Sequence, residues 1–217
     1  MKKNLTELVF ILDRSGSMSG LEGDTIGGFN GILEKQKGEP GEALISTVLF
    51  DHESEVIHDR VDIREMRPLT EKEYYVRGCT ALLDAVGGAI HHMGNVHRYI
   101  REEDCPEKTL FVITTDGMEN ASREYTYDRV KQMIEKKKEA GWEFIFLGAN
   151  IDAAAEAARF GISLECAADY HADTLGTKSM YEAVNDAVCY ARANRPISKD
   201  WKNKVNADYN RRGKNNK

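Results

Sequence analysis

Two runs in this chain end in an aspartate, and both are too continuously apolar to have a wet face. Glu7 is followed by Leu8, Val9, Phe10, Ile11 and Leu12, which lead straight into Asp13. Residues 109–113, Thr-Leu-Phe-Val-Ile, lead through Thr114 and Thr115 into Asp116. A strand with one solvated side alternates polar with apolar residues. These runs do not, so they read as strands buried on both faces, the mark of a parallel sheet covered by helices.

The rest of the sequence fills in around them. Ile26, Phe29 and Leu33 repeat at helical spacing up to Gly38, with glycines at 27, 28 and 31 that weaken the helix and permit close packing on the sheet. Residues 44–50 and 55–58 flank a tight turn at residues 52–54 and read as an antiparallel hairpin at a sheet edge. A loop of about 20 residues follows, a length that marks a functional or disordered segment. Leu82, Leu83, Val86, Ile90, Met93 and Val96 predict the next helix, and Val130, Met133 and Ile134 another that stops at Gly141. Residues 143–147 predict a strand, Asp152 a cap on a short helix over 153–160, residues 163–168 the last strand and 180–191 the last helix. Alternating β and α elements imply a doubly wound, Rossmann-like, mostly parallel six-stranded sheet with helices on both faces. Its strand order is 3-2-1-4-5-6, with one antiparallel edge strand.

Length and composition suit one domain over residues 1–194 with an appendage over 195–217. The 217 residues are enough for a core without disulfides. The four cysteines, at 79, 105, 166 and 189, form no C-x-x-C pair and read as free thiols. Met1-Lys2-Lys3-Asn4 has the charge of a signal peptide, but the apolar run after it is too short and meets Asp13. No stretch has the length of a membrane span. A cytoplasmic protein is therefore expected. The net charge of −6 is uneven. From Arg195 onward eight Lys/Arg stand against two Asp, a net +6, so the preceding residues carry −12. An acidic body disfavours nucleic acid as its partner, and the basic end reads as a solvated, disordered tail.

In the expected strand order the first and fourth strands are neighbours at the switch point, so Asp13 and Asp116 should meet where such sheets bind ligands. Two close carboxylates repel unless a proton or a cation intervenes. Asp13-Arg14-Ser15-Gly16-Ser17 forms a sharp turn that can aim Asp13, Ser15 and Ser17 at one point. Thr80, in Gly78-Cys79-Thr80-Ala81-Leu82, can join them from a third direction. Carboxylates and hydroxyls are the hard oxygen donors that Mg²⁺, Mn²⁺ and Ca²⁺ prefer. Each motif alone has an ordinary explanation: a helix cap at Ser17, Ser19 or Thr80, and a turn at Asp116-Gly117.

Taken together, Asp-x-Ser-x-Ser at 13–17, the lone Thr80 and Thr-Asp-Gly at 115–117 resemble the metal-ion-dependent adhesion site of von Willebrand factor A domains. The likeness extends over roughly residues 5–193. It implies a protein-binding module in which the two serines and the threonine contact a divalent ion directly, and the two aspartates directly or through water. A Glu or Asp of a partner protein completes the coordination. The resemblance also implies that ligand binding can shift the final helix. Arg14, Met18, Gly78, Cys79, Met118, Glu119 and Asn120 flank these positions and are expected to form the partner-binding rim.

The competing reading is an enzyme: Mg²⁺-dependent phosphoryl transfer with Asp13 as nucleophile. Such aspartyl enzymes, as in the haloacid dehalogenase family, need a second carboxylate two residues on, where this chain has Ser15, and a lysine and further acids that are not evident around 114–117. His91, His92 and His97 lack metal-ligand spacing on one helix face, and no phosphate-binding glycine motif is present.

Overall fold

The computed structural model describes residues 1–213. In chain order the elements are β1 (Lys2–Asp13), α1 (Glu22–Lys37), β2 (Glu42–Phe50), β3 (Ser54–Asp62), α2 (Leu82–Tyr99), β4 (Pro106–Thr115), α3 (Tyr127–Glu139), β5 (Trp142–Gly148), α4 (Ala153–Arg159), β6 (Ala167–Asp169), α5 (Thr174–Arg192) and α6 (Asn203–Gly213). The six strands form one sheet in the order β3-β2-β1-β4-β5-β6. Only the β2–β3 pair is antiparallel. This is the expected doubly wound topology, with β1 and β4 side by side.

Successive residues of β1 point to opposite faces, and both faces are covered. Leu8, Phe10 and Leu12 enter one core with residues of α1 and α5, while Val9 and Ile11 enter the other with α2 and α3. All five are at most 1% exposed, which is why the run shows no polar alternation. Leu12 pairs with Leu49 on one side and Thr114 on the other, so Asp13 and Thr115 emerge together at the carboxyl edge.

Four local expectations need correction. Gly28 serves helix–helix rather than helix–sheet packing: a Cβ there would lie 2.1 Å from the Tyr181 ring of α5, whereas Gly27 and Gly31 face open space. The long loop is ordered by its own apolar residues. Ile63, Met66, Leu69 and Tyr74 are buried, and the Asn30 side chain brackets the Leu69 backbone at 2.8 and 2.9 Å. The last strand is shorter than 163–168, because residues 164–166 take a 3-10 turn before β6.

The fourth correction is the largest. Residues 199–213 are helical and packed on α5, not a solvated tail. Trp201 and Val205, one helical turn apart, are buried in the same core as α1 and α5. The Trp201 indole donates to the Glu165 carbonyl at 3.0 Å, and the Lys202 ammonium to the Ala167 carbonyl at 2.7 Å. Burying one tryptophan and one valine contributes several kcal/mol, enough to dock a short basic helix. Residues 214–217 of the expected tail lie outside the described residues. No described helix is long and apolar enough to cross a membrane.

Candidate metal centre

The carboxyl edge of the sheet gathers the five residues singled out in the sequence. Asp13 ends β1, and its Oδ1 accepts the Ser15 amide at 2.7 Å, which folds the chain back at once. A single 3-10 turn over Gly16–Met18 follows. The Gly16 amide donates to the Gly78 carbonyl at 3.1 Å, and a Cβ on Gly16 would press within 3.3 Å of that oxygen. This close approach, with the Arg77 amide on the Arg14 carbonyl at 2.9 Å, lays segment 77–80 beside the turn. Gly78 itself has φ +70°, a conformation natural to glycine.

Thr80 arrives in this way with its hydroxyl donating to Ser15 Oγ at 3.1 Å, and Ser15 Oγ lies 3.0 Å from Ser17 Oγ. Its backbone is held by the loop after β4: its amide meets Asn120 Oδ1 at 2.9 Å, and its carbonyl accepts the amides of Asn120 and Ala121. The helix-cap explanation of Thr80 does not fit. The cap position of α2 is Ala81, without a side-chain bond. The first turn is instead held by Glu119, which accepts the Leu83 amide at 2.8 Å, and by Ser122, which accepts that of Asp84 at 3.0 Å. Nor does a serine cap α1, whose cap position is Leu21.

Asp116 completes the group. Its amide donates to Asp13 Oδ2 at 3.3 Å, and Thr115 Oγ1 donates to the same oxygen at 2.7 Å. The Asn150 side-chain amide donates to Asp116 Oδ1. Gly117 leaves the space above the hydroxyls clear: a Cβ there would sit 3.2 Å from Ser17 Oγ and 3.3 Å from Thr80 Oγ1. Asp13, Ser15, Thr80 and Asp116 are all at most 3% exposed, and Ser17 is exposed.

Both carboxylates are buried without a compensating charge. Among the described residues no Lys, Arg or His forms an ion pair with either. Burial pushes the Asp13 carboxyl above its ordinary range, against hydrogen bonds from Ser15, Thr115 and the Asp116 amide. Asp116 is pushed up to about 6, by burial first and by the charge of Asp13, with Asn150 opposing. Such a pair favours a proton or a cation between its members. Among the described residues no three His, Cys, Asp or Glu side chains converge. The donors here are two carboxylates and three hydroxyls, and that set fits a hard divalent ion.

The expected rim is only partly a surface. Arg14 is fully buried, its guanidinium paired with Asp51 at 2.8 Å and Glu55 at 2.9 Å, and Met18 is 4% exposed beneath the turn. Both therefore belong to the framework. Glu119 is spent on the amides of Leu83, Ala121 and Ser122. Gly78, Cys79, Met118 and Asn120 are exposed, Met118 at 70%. Sequence reasoning quoted Thr115 in the motif without a role of its own, and it missed Asn150 and Tyr74, whose hydroxyl donates to the Asp13 carbonyl. Asn150 could have been found, since it follows a third parallel strand at the same edge.

Neither a protein-family model nor a curated relative matches the sequence. Solved structures do. Proximal thread matrix protein 1 from the mussel byssus, with a zinc-occupied MIDAS motif, is 15% identical with a TM-score of 0.59, over 85% of this chain and 46% of that one. This chain thus spans about half the length of the mussel protein. Manganese-loaded TRAP protein of Plasmodium vivax is 15% identical with a TM-score of 0.56, over 79% of this chain and 70% of that one. The vWF domain of the type V pili tip protein Mfa5 from Porphyromonas gingivalis is 11% identical with a TM-score of 0.56, over 83% and 95%. At these identities the likeness shows the fold alone: this chain shares its doubly wound α/β architecture with these proteins, one of them a vWF domain.

Proposed function

We propose that this protein is a metal-dependent protein-binding module that grips an Asp or Glu of a partner protein through a divalent cation, Mg²⁺, Mn²⁺ or Ca²⁺, held by Asp13, Ser15, Ser17, Thr80 and Asp116. The observation that carries the reading is the convergence of three hydroxyls on two buried carboxylates that have no cationic side chain as partner among the described residues. Bound there, a divalent ion supplies positive charge and a coordination position for an incoming carboxylate. The chain's own residues do the rest. Asp13 is oriented by Thr115 and two backbone amides, Asp116 by Asn150, and the hydroxyls of Ser15, Ser17 and Thr80 are tied to one another. With the neutral hydroxyls as direct donors and the carboxylates acting through water, a cation would keep much of its charge for an anionic partner. The zinc and manganese named for the mussel and Plasmodium proteins agree with this reading.

The phosphoryl-transfer alternative fares worse. Both oxygens of Asp13 already accept hydrogen bonds, and among the described residues no lysine or arginine ion-pairs with it to neutralise a phosphate nearby. The decisive experiment is calorimetry with Mn²⁺, then binding of immobilised acidic peptides in Mn²⁺ or EDTA. Saturable Mn²⁺ heat, lost in Asp13→Ala and Ser15→Ala/Ser17→Ala, and capture abolished by EDTA or by Asp→Asn and Glu→Gln changes in the peptide, are expected. Capture indifferent to EDTA would reject the reading.

A further inference from the structure

A second charged feature lies on the other helical layer, well away from the carboxyl edge. The C-terminal half of α2 and that of α3 enclose an open groove of about 320 Å³. Ile90 and Met133 contribute apolar surface to its lining, with His91, Asn95, Arg98, Lys136 and Lys137 around them, and no acidic residue lines it. From the start of α2 at Leu82, close to Thr80, the groove begins about 12 Å along the helix at Ile90 and ends near 24 Å at Arg98, at about 1.5 Å per residue.

Three observations set this groove apart from an ordinary solvated helix face. First, Arg98 of α2 and Lys136 and Lys137 of α3 meet around one concavity, none of its described lining residues is acidic, and the three cations make no ion pair among the described residues. Second, Gly94 makes room for Lys137 to cross α2. A Cβ at Gly94 would lie 2.8 Å from the Lys137 ammonium, which stands 4.3 Å from the centre of the Trp142 ring. Third, the cations crowd one another: burial, and then Lys136 and Arg98, hold the Lys137 ammonium below its ordinary range. Cations in the last turns of α2 and α3 complement the helix dipoles. That role requires neither that the two sets face one groove nor a glycine where they meet.

We propose that this groove binds a small polyphosphate. Three positive charges, a histidine and the Asn95 amide around one concavity suit an anion with several charges on adjacent phosphoryl groups. The one nearby indole, Trp142, is covered by Lys137 and offers no face to a nucleobase, so the recognised chemistry is the phosphate chain itself. The site is independent of the candidate metal centre.

The test is calorimetry of inorganic tripolyphosphate against the full chain in EDTA at low salt. One site per chain is expected. Affinity should fall at least tenfold in Arg98→Glu/Lys136→Glu, both at exposed positions, and several-fold between 50 and 200 mM salt. Gly94→Val, which displaces Lys137, should weaken binding at least threefold. The remote reversal Lys3→Glu/Lys178→Glu should leave affinity within twofold, as should Asp13→Ala. Circular dichroism checks that each variant is folded. The proposal fails if no heat is seen, if the remote and groove reversals weaken binding equally, or if Asp13→Ala abolishes it. It also fails if a polyglutamate peptide binds the groove more tightly than tripolyphosphate.

Discussion

Asp13 and Asp51 leave adjacent strands at the same sheet edge, both at most 1% exposed, yet the protein treats them in opposite ways. Asp51 receives Arg14 and Arg77, each at 2.8 Å, His52 at 2.9 Å and the Glu53 amide at 3.0 Å. Burial pushes its carboxyl up, but Arg77, the Glu53 amide and Arg14 together outweigh that and hold it below its ordinary range. Asp13 and its neighbour Asp116 receive only neutral donors, and both are raised. A buried acid with its own cations is framework. A buried pair without any is a place where the charge must come from outside, as a proton or a metal.

The sharpest way to break this contrast is to remove one charge from each side. Arg14→Met removes one of the two guanidiniums on buried Asp51, Arg77 remaining, and should cost about 1.5–3 kcal/mol, read from urea denaturation. Asp13→Asn in EDTA relieves a repulsion while keeping most of the hydrogen bonds, so its effect should stay within about 1 kcal/mol of zero. It should also remove any stabilisation by Mg²⁺. Equal, large losses in both variants would make Asp13 a structural acid like Asp51.

The pH dependence sharpens the comparison further. For Asp116 the folded pKa of about 6 lies above the ordinary 3.8, so the folded state holds the proton more tightly. In metal-free protein its contribution is fully present below about 3.8, is lost as pH rises to about 6, and is constant above that. The loss is about 3 kcal/mol at most, at 1.36 kcal/mol per pKa unit. Asp51 has the opposite sign: its contribution is present above the ordinary carboxylate pKa and is lost as pH falls through its depressed folded value. Urea midpoints in EDTA between pH 4.5 and 7 should therefore fall in the wild type relative to Asp116→Asn, and added Mg²⁺ should remove the difference. A wild type that tracks Asp116→Asn at every pH would show that burial does not perturb this acid. Mg²⁺ affinity should weaken below pH 6 as protons compete for the same oxygens.

The same contrast shows what a sequence discloses. The sheet and its order were readable because runs such as 8–12 and 110–113 have one physical solution, and because acids at strand ends must emerge at one edge. The hydroxyls of Ser15 and Ser17 were readable because they follow Asp13 within one short turn, whereas Thr80, 65 residues from Ser15, was singled out by its place in the family motif. The pairing of Arg14 with Asp51 spans 37 residues, so Arg14 looked like a rim residue. Glu119 likewise serves α2 from 36 residues away. The appendage misled through its charge: Trp201 and Val205 are two apolar residues in a basic stretch, and their burial depends on the surface of α5, which no local pattern reveals. Its packing on α5 also means that α5 is not a free final helix.

The smallest effect concerns Thr80, where a structural and a functional role diverge most clearly. Its hydroxyl makes one hydrogen bond, to Ser15 Oγ, and caps nothing, since Glu119 and Ser122 hold the first turn of α2. Thr80→Ala should therefore cost under about 1 kcal/mol, the worth of one hydroxyl bond. Glu119→Ala, which orphans the amides of Leu83, Ala121 and Ser122, should cost more. If Thr80 meets the cation when the partner's acid is present, as the family resemblance implies, its loss falls on the ternary state, because a ligand shifts an equilibrium only through contacts that differ between states. Affinity for an acidic peptide in saturating Mg²⁺ should then drop at least fivefold, with a smaller change in Mg²⁺ affinity. Titrating metal and peptide separately into wild type and Thr80→Ala, with thermal unfolding of both, resolves the two roles. Unchanged peptide affinity together with a loss of stability matching that of Glu119→Ala would return Thr80 to the framework, beside Arg14 and Asp51.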